Sequence, residues 1–231
     1  MNKLKTMLCA VFTLLLVNTA QADSGNFAGP YIGLTAGAYG VSAQGSSVAS
    51  KIDTGATGTV EKNDVSVGKV AGIIGGEIGY ALPLGDSMVL DVGASYLGGE
   101  AKIEADGDDT GTDQASFKID DHFTVDIAPT MVLSETSSVY IKVGLAEADT
   151  GVTGDVTTPG QLSGTTWALG SRTVLDNGIF IRTEAGYTEY NGISAHGLGE
   201  GTQGTTRINS NTSFSAEPTM VHGTVSLGFR F

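Results

Sequence analysis

His222-Gly-Thr-Val-Ser-Leu-Gly-Phe-Arg-Phe231 closes the chain, and its alternation decides the fold. Val225, Leu227, Phe229 and Phe231 fall on one face of an extended strand, with Thr224, Ser226, Gly228 and Arg230 on the other, because successive strand side chains point to opposite sides. A soluble eight-stranded barrel would turn the apolar face inward and the charges outward, and glycine with arginine would make no sense as an inner face. The pattern instead fits strands with lipid on one side and a polar interior on the other. It recurs upstream with turn residues between copies, so the chain reads as a closed barrel in a bacterial outer membrane.

Seven earlier segments repeat it. Residues 30–41 put Ile32, Leu34, Ala36 and Ala38 outward, against Gly33, Thr35 and Gly37. Residues 66–81 put Val70, Ile74, Ile78 and Tyr80 outward, against Lys69, Ala71, Gly75 and Glu77, with Ile73 as the exception. Residues 87–99 set Met88, Leu90, Val92, Ala94 and Tyr96 against Asp91, Gly93 and Ser95. Residues 116–132 set Ile119, Phe123, Val125 and Ile127 against Lys118, Asp120, His122, Thr124 and Asp126. Residues 138–147, 165–175 and 179–190 follow, with Lys142, Arg172, Arg182 and Glu184 on inner faces, and residues 217–231 complete the set.

Connections alternate in length. Short turns fall at Leu82 to Asp86, Ser134 to Ser137 and Asp176-Asn-Gly178, the last a two-residue hairpin signal because Asn-Gly tolerates positive φ. Long segments at 42–64, 100–115, 148–164 and 191–216 read as loops. In outer-membrane barrels the short turns face the periplasm and the long loops face outward. The expected fold is all-β: an eight-stranded antiparallel transmembrane up-and-down β-barrel, whose interior is just wide enough for side chains to fill.

The amino-terminus carries Lys3 and Lys5, an apolar run from Met7 to Val17, and Ala20-Gln21-Ala22. This is a secretory signal peptide with cleavage expected after Ala22, since a spanning helix needs about twenty apolar residues. The domain division is a leader at 1–22 and one barrel domain at 23–231. Cys9 is the only cysteine and lies in the leader, so neither a disulfide nor a thiolate is expected. Its setting, Met-Leu-Cys-Ala, is wrong for a lipoprotein acylation site. Net charge is -13, and about -15 once Lys3 and Lys5 leave, which argues against nucleic acid as a partner. Overall hydropathy near zero fits alternating membrane strands rather than helical ones. The 34 glycines are too many for a helical domain.

With its leader, the opening Gly29-Pro-Tyr-Ile-Gly-Leu-Thr-Ala-Gly-Ala-Tyr-Gly40 and the closing Val225-Ser-Leu-Gly-Phe-Arg-Phe231, the mature chain resembles the OmpA-like and porin-family small outer-membrane barrels. The resemblance implies that Phe229 and Phe231 form the signal read by the outer-membrane assembly machinery. Ser226 stands where that ending often has glycine. No segment like a peptidoglycan-binding domain follows Phe231, so tethering to the cell wall is not implied.

Sorting charges by strand parity places Lys69, Lys118, Lys142, Arg172, Arg182 and Arg230 inside, against Glu77, Asp91, Asp120, Asp126 and Glu184. The near balance assigns the negative excess to the loops and the interior to paired charges. Arg172 and Arg182 fall side by side in one hairpin and repel unless carboxylates reach them. The expected lumen charge network is Glu77 and Asp91 with Arg172 and Arg182, Glu184 lying on the same inner face, plugging the lower half. The competing reading is independently solvated charges in a wet lumen.

Other motifs carry less. Asp106, Asp108 and Asp109 faintly resemble a calcium loop, but the fifth position is Thr110, and the twelfth is Phe117 where a bidentate glutamate is required. A solvated acidic loop is the expectation, with divalent ions bridging it to lipopolysaccharide as an untested extension. Gly199-Glu-Gly-Thr-Gln-Gly204 matches the dinucleotide pattern without its strand and helix. Asn211-Thr-Ser213 matches a glycosylation acceptor, which means little in a bacterium. His122, His196 and His222 have no nucleophile pattern beside them. No catalytic residue, cofactor or metal is expected. The expected partners are membrane lipid, lipopolysaccharide, the assembly machinery and a surface ligand for the loops, and the expected state is a monomer. The leading function is a structural or surface-exposed role. A narrow cation-preferring pore is the alternative, and a lipid A-modifying enzyme follows it.

Overall fold

The computed structural model describes residues 23–53, 60–104, 116–153, 160–203 and 206–231. The leader at 1–22 and the acidic stretch 105–115, with Asp106, Asp108, Asp109 and Thr110, lie outside them. The strands are β1 (Gly29–Asp53), β2 (Val60–Pro83), β3 (Met88–Gly98), β4 (Ala101–Glu104), β5 (Ser116–Val132), β6 (Ser137–Thr153), β7 (Gln161–Val174), β8 (Ile179–Tyr190), β9 (Ile193–Gln203) and β10 (Thr206–Arg230). Eight of them make a closed antiparallel wall in the order β1-β2-β3-β5-β6-β7-β8-β10, sealed where β10 pairs β1 from Tyr31↔Arg230 upward. The short β4 adds to β5, and β9 adds to β10.

Exposed apolar side chains coat the outside of the wall, among them Leu34, Val70, Ile74, Leu145, Trp167, Leu169, Val225 and Leu227. A water-facing sheet would not tolerate such a band, and a bilayer needs it. The three short turns close alike, with the amides of Leu84, Leu133 and Leu175 donating to the carbonyls of Met88, Ser137 and Ile179. In the third, three residues rather than two make the bend, and Asn177 and Gly178 take the positive φ values, +64° and +79°, that the Asn-Gly pair suggests. The short turns and both ends of the described chain share one end of the barrel.

Two sequence expectations need correction. The stretches 42–64 and 191–216 are mostly strand rather than loop: β1 stays paired with β10 to Asp53↔Ile208 and with β2 to Ser50↔Val60, while β9 pairs β10 from Ala216↔Ile193 to Thr206↔Gln203. Above the membrane no lipid imposes apolar alternation, yet the backbone ladder needs only amides and carbonyls. The Gly-x-Gly-x-x-Gly match thus lies on β9 through Gln203 instead of in a loop.

Parity also fails on β5. A bulge between Asp120 and Phe123, with Asp121 at φ +51°, adds a residue and flips the faces beyond it. Ile119 therefore points inward and is 1% exposed. Lys118 and Asp120 pair with each other at 2.8 Å on the outside. Lys69 keeps its inner-face parity, opposite Val41, but is exposed.

Candidate functional site

The lumen is filled in three layers. At the short-turn end Phe27, Tyr31, Ala81, Val89, Val132, Val174 and Phe180 form an apolar floor. At the opposite end a larger apolar cluster includes Tyr39, Val41, Ile73, Leu97, Ile119, Leu162, Tyr190 and Met220. Between them lies a charged layer of Lys142, Arg172 and Arg182 with Glu77, Asp91, Asp126 and Glu184, every one of these side chains 8% exposed or less. Among the described residues, three cations therefore face four carboxylates.

Inward glycines make this filling possible. A Cβ at Gly228 would meet the Phe180 ring at 2.1 Å, one at Gly170 the Tyr140 ring at 2.3 Å, and one at Gly186 the His222 ring at 2.3 Å. Each glycine gives a ring room to lie across a lumen just wide enough for side chains to fill.

Arg172 and Arg182 are direct cross-strand neighbours. Asp91 answers both: it is bonded to Nη2 of Arg172, lies 3.6 Å from Nη2 of Arg182, and accepts from Thr130 Oγ1 at 2.6 Å. Arg182 also donates to Glu77 across the barrel at 2.7 Å. Tyr31 packs against both guanidinium groups, 5.0 Å from Arg172 and 4.9 Å from Arg182, and Phe180 lies 5.4 and 5.7 Å from them. Shared carboxylate and aromatic faces thus offset the repulsion of two adjacent cations.

Glu184 anchors the other half. It lies 2.7 Å from Lys142 Nζ, accepts from Tyr140 O–H at 2.8 Å, and meets His222 Nε2 at 3.2 Å. Lys142 stands 4.0 Å from Asp126. Above this group His122 bridges Tyr190 O–H at 2.7 Å and Thr124 Oγ1 at 3.0 Å. The space left among Glu77, His122, Lys142, Arg182, Glu184 and His222 is about 20 Å³, room for about one water molecule.

Arg230 joins no ion pair among the described residues. Its Nη1 donates to the carbonyls of Ala28 at 2.9 Å and Gly25 at 3.1 Å, at the rim of the barrel. Phe229 and Phe231 meet edge to face, 5.1 Å between ring centres, on the outside of that rim. His196 lies on β9, and its side chain is not among those described. Sequence parity places Phe180 inside, as found, but does not point to its contact with Tyr31, to Thr130 or to Phe27. The one available signal was large apolar residues at inner positions next to the short turns.

The model of the outer membrane protein beta-barrel domain matches residues 9–216. No curated protein matches the chain in sequence. Among solved structures, the outer membrane protein OprG from Pseudomonas aeruginosa is similar, with a TM-score of 0.52 and 14% identity over 88% of this chain and 97% of that one. Ail, the attachment invasion locus protein of Yersinia pestis, matches with a TM-score of 0.32 and 10% identity over 79% of this chain and 98% of its own. The outer membrane protease OmpT from Escherichia coli matches with a TM-score of 0.39 and 10% identity, over 86% and 97%. The closed wall, its lipid-facing belt and the family match lead to one conclusion: the chain belongs to the outer membrane protein beta-barrel domain family and resides in the bacterial outer membrane.

Proposed function

We propose that this protein is a non-enzymatic, monomeric barrel that presents its outer strands and loops at the cell surface for recognition and passes no solute through its lumen. The observation that carries the reading is the three-layer filling, in which apolar clusters close both sides of a paired charge layer with space for about one water. A hydrated ion needs a continuous wet path several ångströms wide. Recognition is supported by β1, β2, β9 and β10, which continue past the wall as a hydrogen-bonded sheet. Beyond Ser42, β1 alone runs on for roughly 35 Å at about 3.3 Å per residue.

Two further observations bear on the alternatives. His122 is 2% exposed and held between Tyr190 and Thr124 inside the wall, where no lipid on the outside could reach it, so a lipid A-modifying role has no acid or base to use there. The surplus carboxylate of the charged layer favours cations over anions for any leak, which keeps a narrow cation pore as the second reading. Planar-bilayer recording separates the two. The purified protein is expected to be silent, and reproducible unitary steps would replace the closed-barrel reading with the pore.

A further inference from the structure

We propose that residues Ser24–Ala28 are a removable cork for the periplasmic mouth, separate from the wall and from the charged layer. It goes beyond the surface role and does not depend on it. The segment precedes β1 and pairs with no strand. It makes one 3-10 turn, Ser24–Asn26, in which Asp23 Oδ1 accepts from the Gly25 amide at 2.9 Å. A polar stretch such as Asp23-Ser-Gly-Asn26 ahead of a membrane strand would ordinarily trail into water. Here it folds back under the barrel.

Three points of the rim hold it. The Ser24 amide donates to the Asp86 carbonyl in the β2–β3 turn at 2.9 Å. Asn26 Nδ2 donates to the Glu135 carbonyl in the β5–β6 turn at 3.2 Å. Arg230, at the end of β10, donates to the carbonyls of Gly25 and Ala28. Phe27 is the stopper: it is 0% exposed and packs in the floor cluster with Tyr31, Val89, Val132, Val174 and Phe180.

The position gives the cork a task. Tyr31 and Phe180, which share the floor cluster with Phe27, also carry the guanidinium groups of Arg172 and Arg182 on their faces. Seated, the cork keeps periplasmic water from the Asp91–Arg172 pair. Unseated, it opens the lumen as far as the charged layer without breaking a ladder bond of the wall. Few hydrogen bonds and one aromatic ring hold it, so it can leave while the barrel stays folded.

A cysteine reporter tests this in nanodiscs, on a Cys9→Ser background that leaves no other thiol. Val132→Cys places a thiol in the floor, and Met220→Cys places one in the opposite cluster as a control. Deleting residues 24–28 is expected to speed modification of the Val132→Cys thiol by a small cationic methanethiosulfonate at least tenfold and to leave the Met220→Cys rate unchanged. Phe27→Ala in the full chain should act in the same direction, and Phe27→Leu should keep protection. Either unchanged labelling at Val132→Cys in a folded, heat-modifiable barrel, or equal acceleration at both reporters, would overturn the cork. Should the deletion not fold, the Phe27→Ala and Phe27→Leu comparison decides by the same criterion.

Discussion

Asp91→Ala is the most informative perturbation of the lumen. Asp91 is 1% exposed, bonded to Arg172, 3.6 Å from Arg182, and accepts from Thr130. Its removal leaves two register-paired guanidinium groups with one fewer anion between them, and breaking a buried pair from one side costs about 3–5 kcal/mol. Arg172→Ala should cost a similar amount, because it strands the Asp91 carboxylate against Thr130 and a more distant Arg182. In the double variant Arg182 still has Glu77 at 2.7 Å, so no charge in that half is left alone, and the loss should be close to that of one single variant. The expected coupling is then about 3 kcal/mol, at the upper end for residues in one network. Urea unfolding in phospholipid vesicles measures it, with Trp167, the only tryptophan and one that faces lipid, as the fluorescence probe and heat-modifiable gel mobility as the second readout. Single losses that sum to the double within about 0.5 kcal/mol would show independently solvated charges and refute the network.

Gly228→Val should push the Phe180 ring out of the floor and lower stability by about 1–3 kcal/mol, whereas Gly72→Ala, where an added Cβ meets nothing within 4 Å, should stay within about 0.5 kcal/mol of the parent; equal effects in the same unfolding assay would contradict the ring-over-glycine packing. Removing Phe231 should lower the amount of folded barrel in cell outer membranes while leaving detergent refolding of the purified chain unchanged, and equal cellular yields would remove the assembly role of the aromatic terminus.

The wall was legible because lipid writes a two-residue rhythm onto each strand. Leu145, Trp167 and Val225 lie outside, and Lys142, Arg172 and Thr224 inside, as parity requires. The rhythm misleads wherever its cause ends. At Asp121 one extra backbone residue reverses the faces, and no local sequence signal distinguishes Ile119 facing the lumen from Ile119 facing lipid. Past Ser42 the strands keep their ladder, so a glycine- and serine-rich composition that reads as loop does not mark the end of a strand.

The interior was harder to read for a different reason. Parity says that a residue points inward, but not what lies across from it, and in a lumen this narrow the opposite wall decides the chemistry. Arg182 and Glu77 are 105 positions apart in sequence and meet at 2.7 Å. Phe180 fits only because Gly228 has no side chain. Apolar rings at the floor and the far cluster at the other end flank the layer between them, and an ion pair gains most where the surroundings screen it least. The charged layer and its two apolar covers are therefore one device: opening either cover should weaken every pair between them, and the coupling between Asp91 and Arg172 should fall measurably when Phe27 is replaced by alanine.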